Sequence, residues 1–185
     1  MTRPAPILVA TDLSAGGDAA IREGDRRART LGAPLVVCWA LPNPSPSAPL
    51  FPTVHQAVDL ALPAWREQAM VAVGARVEAI TGRPPSQVEI DVLVGTPHVE
   101  IVKLADRLAP RLLVIGSRGT SGLSHALLGS VAERVLRHAH CPVLVARPAR
   151  GTGRVLVATD FSKAAEAAVA AAATEAHRDG RSLSI

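Results

Sequence analysis

The chain of 185 residues carries a formal net charge of +4, and 48% of its residues are hydrophobic while only 2% are aromatic. This length accommodates one α/β domain with residues to spare, and its core must consist of Val, Leu, Ile and Ala. No apolar run approaches the ~18 residues of a transmembrane helix, and the chain enters its first strand without a signal-peptide pattern. The arginines are interspersed with acids, as in Arg22-Glu23-Gly24-Asp25-Arg26-Arg27, and there are few aromatics to stack on bases. We therefore expect a solvated basic surface and neither membrane nor nucleic-acid binding.

Two cysteines, Cys38 and Cys141, lie inside apolar segments. Buried, reduced thiols are expected there, which suits a cytoplasmic protein. The run His138-Ala139-His140-Cys141 contains metal-ligand residue types, but it follows a predicted helix and precedes a strand. A cation at the helix end and a buried thiol explain this run better, so we expect no metal site.

Apolar runs alternate with segments of helical spacing along the whole chain. Glycine and proline residues separate these segments, and Glu89 and Asp91 alternate with apolar residues in one strand, which indicates an edge position. The predicted elements are, in chain order, a strand over Ile7–Thr11, a helix capped by Asp12 or Ser14 and ending near Leu31, a strand over Leu35–Ala40, a proline-rich surface loop over Pro42–Pro49, a helix over Ala57–Ile80, a strand over Val88–Val94, a helix over Pro97–Leu108, a strand over Arg111–Ile115, a helix over Ser130–His138 and a strand over Val143–Ala146.

This alternation predicts an α/β fold, a doubly wound, open, five-stranded parallel sheet of Rossmann-like type with strand order 3-2-1-4-5 and helices on both faces. In such sheets ligands bind at the carboxyl ends of the strands, where the strand order reverses. Strands 1 and 4 flank that point, and their carboxyl ends carry Thr11-Asp12 and Gly116-Ser117.

The segment Ile7–Ser14 recurs as Val155–Ser162, at an offset of 148 residues. We therefore expect a complete domain over residues 1–148. Residues 149–185 are expected to form a linker and a partial second copy with the first strand, the first helix and the start of the second strand, as in a tandem protein cut short. Because about thirty residues bury too little surface to fold alone, this copy is expected to be mobile or swapped between chains. It contains no glycine loop, so no second complete nucleotide site is expected.

A glycine-rich loop follows the fourth strand. Gly116-Ser117-Arg118-Gly119 is followed by Gly129-Ser130-Val131 at the start of a predicted helix. Glycines let backbone N–H groups approach phosphate oxygens, and a helix N-terminus adds a favourable partial positive charge. The spacing is neither a Walker A loop, because no Lys follows the last glycine, nor the Rossmann G-x-G-x-x-G. The loop predicts an anion cradle of a different type.

In these motifs the chain resembles the universal stress protein family, and specifically its ATP-binding subclass. The resemblance covers residues 5–148 and restarts at residue 154. It is carried by five motifs in order: Leu8-Val9-Ala10-Thr11-Asp12-Leu13-Ser14, Val94-Gly95-Thr96-Pro97, Leu113-Val114-Ile115-Gly116-Ser117-Arg118-Gly119, Leu128-Gly129-Ser130-Val131-Ala132 and Cys141-Pro142-Val143-Leu144-Val145.

The resemblance implies a site for ATP, with or without Mg²⁺. It implies that Asp12 lies near the adenosine, that the backbone around Ala10-Thr11 lines the base pocket, and that Ala40 lies against the adenine. The residues implied around the ribose and phosphates are Gly116, Arg118, Gly119, Gly129, Ser130 and Val131, and Ile115 is a further nucleotide-binding residue that the resemblance implies. Three simpler alternatives stay open: a helix-capping role for Asp12, a turn role for the glycines and a solvent-facing Arg118.

The sequence thus favours a cytoplasmic ATP-binding stress-response module. No catalytic constellation is visible, because the Walker Lys and a second acid for Mg²⁺ are missing, so we do not expect an efficient enzyme. Two alternatives remain: a weak ATPase, and a dimerisation scaffold with an unused nucleotide site. The strand within Pro142–Ala146 is apolar on both faces and lies at the sheet edge, and family members pair through this strand. We therefore expect a homodimer across it.

Overall fold

A computed structural model describes residues 4–42, 52–117, 128–147, 153–163 and 165–185, apart from the side chains of residues 52–57 and 59. The chain divides into two compact units, Met1–Pro148 and Ala149–Ile185. The proline-rich loop predicted over Pro42–Pro49 falls outside the described residues except for Pro42.

The first unit alternates strands and helices, as predicted. Its elements are β1 (Ile7–Thr11), α1 (Ala15–Leu31), β2 (Leu35–Leu41), α2 (Pro52–Thr81), a 3-10 turn (Pro85–Gln87), β3 (Glu89–Val94), α3 (Pro97–Leu108), β4 (Leu112–Gly116), α4 (Ser130–His138) and β5 (Val143–Ala146). The strands form one parallel sheet in the order β3-β2-β1-β4-β5, which confirms the predicted fold.

Helices pack on both faces of the sheet, and the side chains of each strand alternate between the two faces. In β1, Ile7 and Val9 belong to a core cluster with residues of α1 and α2, such as Val73. Leu8 and Ala10 belong to a second cluster with residues of α3 and α4. Continuous apolar strands are thus the sequence signature of a sheet covered by helices on both sides.

The ends of α1 follow from short-range sequence signals. Ser14 is the N-cap, and its Oγ accepts a hydrogen bond from the Gly17 N–H at 3.2 Å. Gly32 ends the helix in the left-handed region with φ 57°, where its N–H reaches the carbonyls of Ala28 and Arg29. The two candidate caps are thereby distinguished, because Ser14 and not Asp12 caps this helix.

Some predicted boundaries were wrong. The second helix begins at Pro52 rather than Ala57, since proline is compatible with a first helical turn. Strand β2 runs one residue further, to Leu41, and β4 occupies Leu112–Gly116 instead of Arg111–Ile115. Strand β3 begins at Glu89, because Val88 follows the 3-10 turn as its C-cap. These shifts leave the order and type of the elements unchanged.

The charged run of α1 was interpreted as solvated surface, and this is wrong for part of it. Asp25 and Arg27 are buried, at 8% and 7% exposure. Asp25 pairs with Arg83 and with Arg29, whose Nε lies 2.9 Å from the carboxylate. The Asp25–Arg83 pair joins α1 to the segment that follows α2, and Arg29 also donates to the carbonyl of Thr81, the last residue of α2, at 3.1 Å.

The second unit consists of β6 (Val155–Leu156), α5 (Glu166–Asp179) and β7 (Leu183–Ser184). Its two short strands pair in parallel, with Val155 opposite Leu183. Gly180 ends α5 with φ 61°. The described part of the chain contains no helix that is both long and apolar enough to span a bilayer.

Candidate functional site

A cavity of about 360 Å³ opens where the strand order reverses, at the carboxyl ends of β1 and β4. This volume lies within the ~300–1,000 Å³ of typical small-molecule sites. Of the eleven predicted site residues, nine line this cavity: Ala10, Thr11, Asp12, Ala40, Ile115, Gly116, Gly129, Ser130 and Val131. The other two, Arg118 and Gly119, lie outside the described residues.

The cavity has an apolar wall formed by small and branched side chains. Ala10, Ala40 and Ile115 come from three neighbouring strands, and all three face the α3–α4 side of the sheet. Ile101 of α3 and Val131 of α4 approach from that side. Because Ala10 and Ala40 are small, they leave a space between the sheet and these helices, which suits a flat, weakly polar group such as a base.

Thr11 and Asp12 form a polar corner at the end of β1. The Thr11 Oγ1 accepts a hydrogen bond from the Leu13 N–H at 3.1 Å, and Leu13 adopts the left-handed region with φ 60°. The Asp12 Oδ1 accepts from the Ser14 N–H at 3.1 Å and from the Ser14 Oγ at 2.5 Å. This Asx turn fixes the carboxylate at the cavity.

The N-terminus of α4 forms the opposite polar side. Gly129 is its N-cap, and no described side chain accepts a hydrogen bond from this helix start. The Gly129 N–H donates to the carbonyl of the buried Ser117 at 2.8 Å, which ties the helix start to the end of β4. The first-turn N–H groups and the Ser130 hydroxyl are suited to bind an anion together with the helix dipole.

Seven lining residues were not predicted: Gly17, Trp39, Leu41, Pro42, Pro97, Ile101 and Ala132. Trp39 and Leu41 are the neighbours of Ala40 along β2, so the sequence offered a signal for them. Pro97 begins α3 and Ile101 lies one turn further along that helix, which a strand-end argument does not reach. Gly17 gave no signal, because its position at the cavity depends on how α1 packs.

The described wall of the cavity contains one ionisable side chain, Asp12. Within the described ranges, no group of three or more His, Cys, Asp or Glu side chains is placed to hold a metal ion. Such a wall can bind a neutral ring and orient hydroxyls and an anion. In the part of the chain that the structure describes, the cavity wall therefore presents binding groups and no paired acid and base.

Both cysteines are free thiols. Burial raises the pKa of the Cys38 thiol to about 12, and the nearby Asp91 carboxylate adds to this. Burial also raises the pKa of Cys141, with a further contribution from Asp106. Because the thiolate is the reactive form, neither side chain is prepared for nucleophilic chemistry.

The family model described as the universal stress protein family matches residues 5–147. The chain therefore belongs to the universal stress protein family. Among curated proteins, the universal stress protein MJ0531 of Methanocaldococcus jannaschii is 48% identical over 61 residues, which are 33% of this chain and 36% of that protein. The matches to the first three such relatives span only 35% to 44% of their lengths.

Two solved structures share the fold. A universal stress protein from Archaeoglobus fulgidus has a TM-score of 0.64 at 26% identity, and the match covers 95% of this chain and 64% of that chain. The universal stress protein from Archaeoglobus fulgidus in complex with dAMP has a TM-score of 0.53 at 23% identity. That match covers 79% of this chain and 100% of the other. The similarity to this complex establishes the fold.

Proposed function

We propose that this protein binds an adenine nucleotide, with ATP as the leading candidate, as a stress-response regulatory module. The observation that carries the proposal is the cavity at the switch point of the sheet, on which the predicted site residues of β1, β2, β4 and α4 converge. A protein of the same fold binds dAMP.

Each side of the cavity suits one part of a nucleotide. The small side chains Ala10 and Ala40 fit a planar base, and the fixed Asp12 carboxylate can accept hydrogen bonds from ribose hydroxyls or the adenine amine. The start of α4 can receive phosphate oxygens through its N–H groups and Ser130. Arg118 and Gly119 are proposed to complete the phosphate side, and a Mg²⁺ ion would bind through the phosphates.

The chain contains its own control for this proposal. Asp160 occupies the position of Asp12 in the second copy of the motif, and its Oδ1 likewise accepts from the Ser162 N–H, at 2.9 Å. However, Asp160 is exposed and belongs to a unit without an equivalent of β4 among its described residues. The affinity for a nucleotide should therefore depend on Asp12 and should not depend on Asp160.

The test is calorimetric titration of ATP, with and without Mg²⁺, into the full chain and into Asp12→Asn and Asp160→Asn. Asparagine keeps the shape and the Asx-turn acceptor but loses the charge, and a hydrogen bond to a charged group contributes about 1.5–3 kcal/mol. We expect Asp12→Asn to weaken binding by about tenfold or more and Asp160→Asn to leave it unchanged. No binding to the folded wild type would contradict the proposal and favour a scaffold, whereas phosphate release would favour a weak ATPase.

Residues 1–148 are proposed to form one universal stress protein domain. Residues 149–185 are proposed to be a linker and a second copy of its first strand, first helix and the start of its second strand.

A homodimer is also proposed, formed through Pro142–Ala146. Within the described sheet β5 pairs only with β4, so its other edge offers unpaired backbone groups, and Leu144 and Val145 are half-buried. We expect Leu144→Lys to convert a dimer to a monomer in sedimentation analysis, whereas a dimer that persists would contradict this interface.

We further propose that the protein is located in the cytoplasm.

A further inference from the structure

We propose that Gly17 is a positioning residue of the nucleotide cavity, and that its missing side chain allows Thr11 and Asp12 to be held at the cavity wall. This inference rests on the proposed function. Gly17 lies in the first turn of α1, is buried and lines the cavity, although it belongs to none of the sequence motifs that indicated the site.

The space at Gly17 is smaller than any side chain. A Cβ there would lie 2.5 Å from Thr11 Oγ1, 2.9 Å from Asp12 Oδ1 and 3.1 Å from the Asp12 backbone nitrogen. Real Cβ atoms essentially never approach other atoms more closely than 3.0 Å. A methyl group at this position must therefore displace the two polar groups that form the corner of the cavity, or the helix turn itself.

Neither adjustment is available at low cost. Thr11 Oγ1 and Asp12 Oδ1 are held by the turn through hydrogen bonds from the Leu13 and Ser14 N–H groups. On the other side the turn already contacts the end of β4, because a Cβ on Gly116 would lie 2.6 Å from the carbonyl carbon and oxygen of Gly16 and 3.0 Å from the Gly17 nitrogen. The first turn of α1 is thus wedged between the ends of β1 and β4.

The second copy of the motif shows that the turn alone does not require this glycine. Ala165 occupies the position of Gly17, and its N–H donates to Ser162 Oγ at 3.3 Å, as the Gly17 N–H does to Ser14 Oγ. There the helix begins only at Glu166, the equivalent of Asp18, whereas α1 begins at Ala15. Glycine is therefore required by the tight packing of the helix start against the cavity corner.

The experiment compares ATP affinity and thermal stability in the full chain, Gly17→Ala and the control Gly24→Ala. Gly24 lies in the same helix, and a Cβ there would collide with Val9 Cγ2 in the core; neither Gly24 nor Val9 lines the cavity. We expect both variants to lower Tm, but only Gly17→Ala to weaken ATP binding, by about tenfold or more. If Gly17 had only a structural role, Gly17→Ala would behave as Gly24→Ala does and leave the ATP affinity of the folded protein unchanged.

Unchanged ATP affinity in a folded Gly17→Ala variant overturns this inference and leaves the proposed function intact. Absence of ATP binding by the wild type overturns the proposed function, and this inference with it. If Gly17→Ala does not fold, Thr11→Ala is compared with Thr11→Ala/Gly17→Ala, in which the closest contact is relieved but the methyl still crowds Asp12. Weaker binding by the double variant supports the positioning role, and equal binding overturns it.

Discussion

The β1–α1–β2 segment and the β6–α5–β7 segment have the same local structure at an offset of 148 residues. Leu13 and Phe161 both adopt φ 60°, and the N–H of each donates to the preceding threonine hydroxyl, at 3.1 and 3.0 Å. Both helices end at a left-handed glycine, Gly32 and Gly180. The strands of both segments also pair in equivalent registers. The turn, the helix end and the parallel pairing are thus specified by nearby residues.

Burial is where the two segments differ. All five residues of β1 are buried, and Leu8 is 0% exposed, whereas its equivalent Leu156 is 75% exposed. Phe161 is 90% exposed. The reason is that β1 lies between β2 and β4, with helices packed on both faces of the sheet, whereas β6 pairs only with β7 among the described residues. Strand length and burial therefore depend on neighbouring elements that the repeated motif does not contain.

The difference in burial also explains why only the first copy of the motif forms part of a cavity. Thr11 is buried at 6% exposure and forms a cavity wall together with residues of β4 and α4. Thr159 and Asp160 make the same turn, and a hydrogen bond from Ser162 lowers the pKa of the Asp160 carboxyl, yet Asp160 is exposed. The same residues become a candidate binding site only where a neighbouring strand and helix enclose them.

The largest expected contrast is between the leucines of the two strands. Leu8→Ala removes a fully buried side chain and should lower the free energy of unfolding of the first unit by about 2–5 kcal/mol. Leu156→Ala should change the free energy of unfolding measured for the full chain by less than about 0.5 kcal/mol, because the side chain is exposed. Urea unfolding measures both. A loss above about 1 kcal/mol in Leu156→Ala would show that this side chain is buried in solution.

A smaller contrast concerns the ion pairs of the two helices. Arg83, two residues beyond the end of α2, pairs with the buried Asp25 of α1, whereas Arg178 pairs with Glu175 within α5, at 2.6 Å. Arg83→Ala should lower the free energy of unfolding by about 1–3 kcal/mol, because it removes a charged hydrogen-bond partner from a buried carboxylate. Arg178→Ala should cost no more than about 0.5 kcal/mol. Equal losses of unfolding free energy for the two variants, measured by urea unfolding, would contradict the prediction that the Asp25–Arg83 pair contributes more.

The smallest effect is a pH dependence at Glu23, whose equivalent in α5 is Ala171. Burial raises the pKa of Glu23, but hydrogen bonds from Arg26 and Arg27 outweigh it and leave the pKa below its usual 4.5. The unfolded state then binds more protons, so the stabilisation is present above the unfolded pKa and disappears as the pH falls through the folded pKa. Glu23→Gln should cost about 0.5–1 kcal/mol at pH 7.

That difference in stability should shrink as the pH falls below 4.5 and through the lower folded-state pKa, as measured by thermal unfolding across pH. The exposed Glu67→Gln is the control for loss of a charge on a helix surface. A Glu23→Gln defect of constant size from pH 7 to pH 3 would show that the side chain acts through packing and not through its charge.

The fold was predictable because each signal for it lies in neighbouring residues. Continuous apolar runs such as Ile7–Thr11 predicted buried parallel strands, and Gly32 predicted a helix end. The candidate site was predicted from the ends of β1 and β4, the glycine-rich loop and the family resemblance, because the topology brings Asp12 and Ser130 to the same edge of the sheet. What could not be predicted depends on three-dimensional proximity: the buried pairing of Asp25 with Arg83, and the approach of Gly17 to Thr11.

The most direct test is an ATP titration of the ¹⁵N-labelled full chain followed by backbone amide chemical shifts, because it reads both copies of the motif at once. We expect chemical-shift changes at Thr11, Asp12, Ser130 and Val131, around the cavity at the ends of β1 and β4, and none at Thr159 and Asp160. Equal shifts at the two copies, or none at Asp12, would contradict the claim that the cavity and not the motif defines the site.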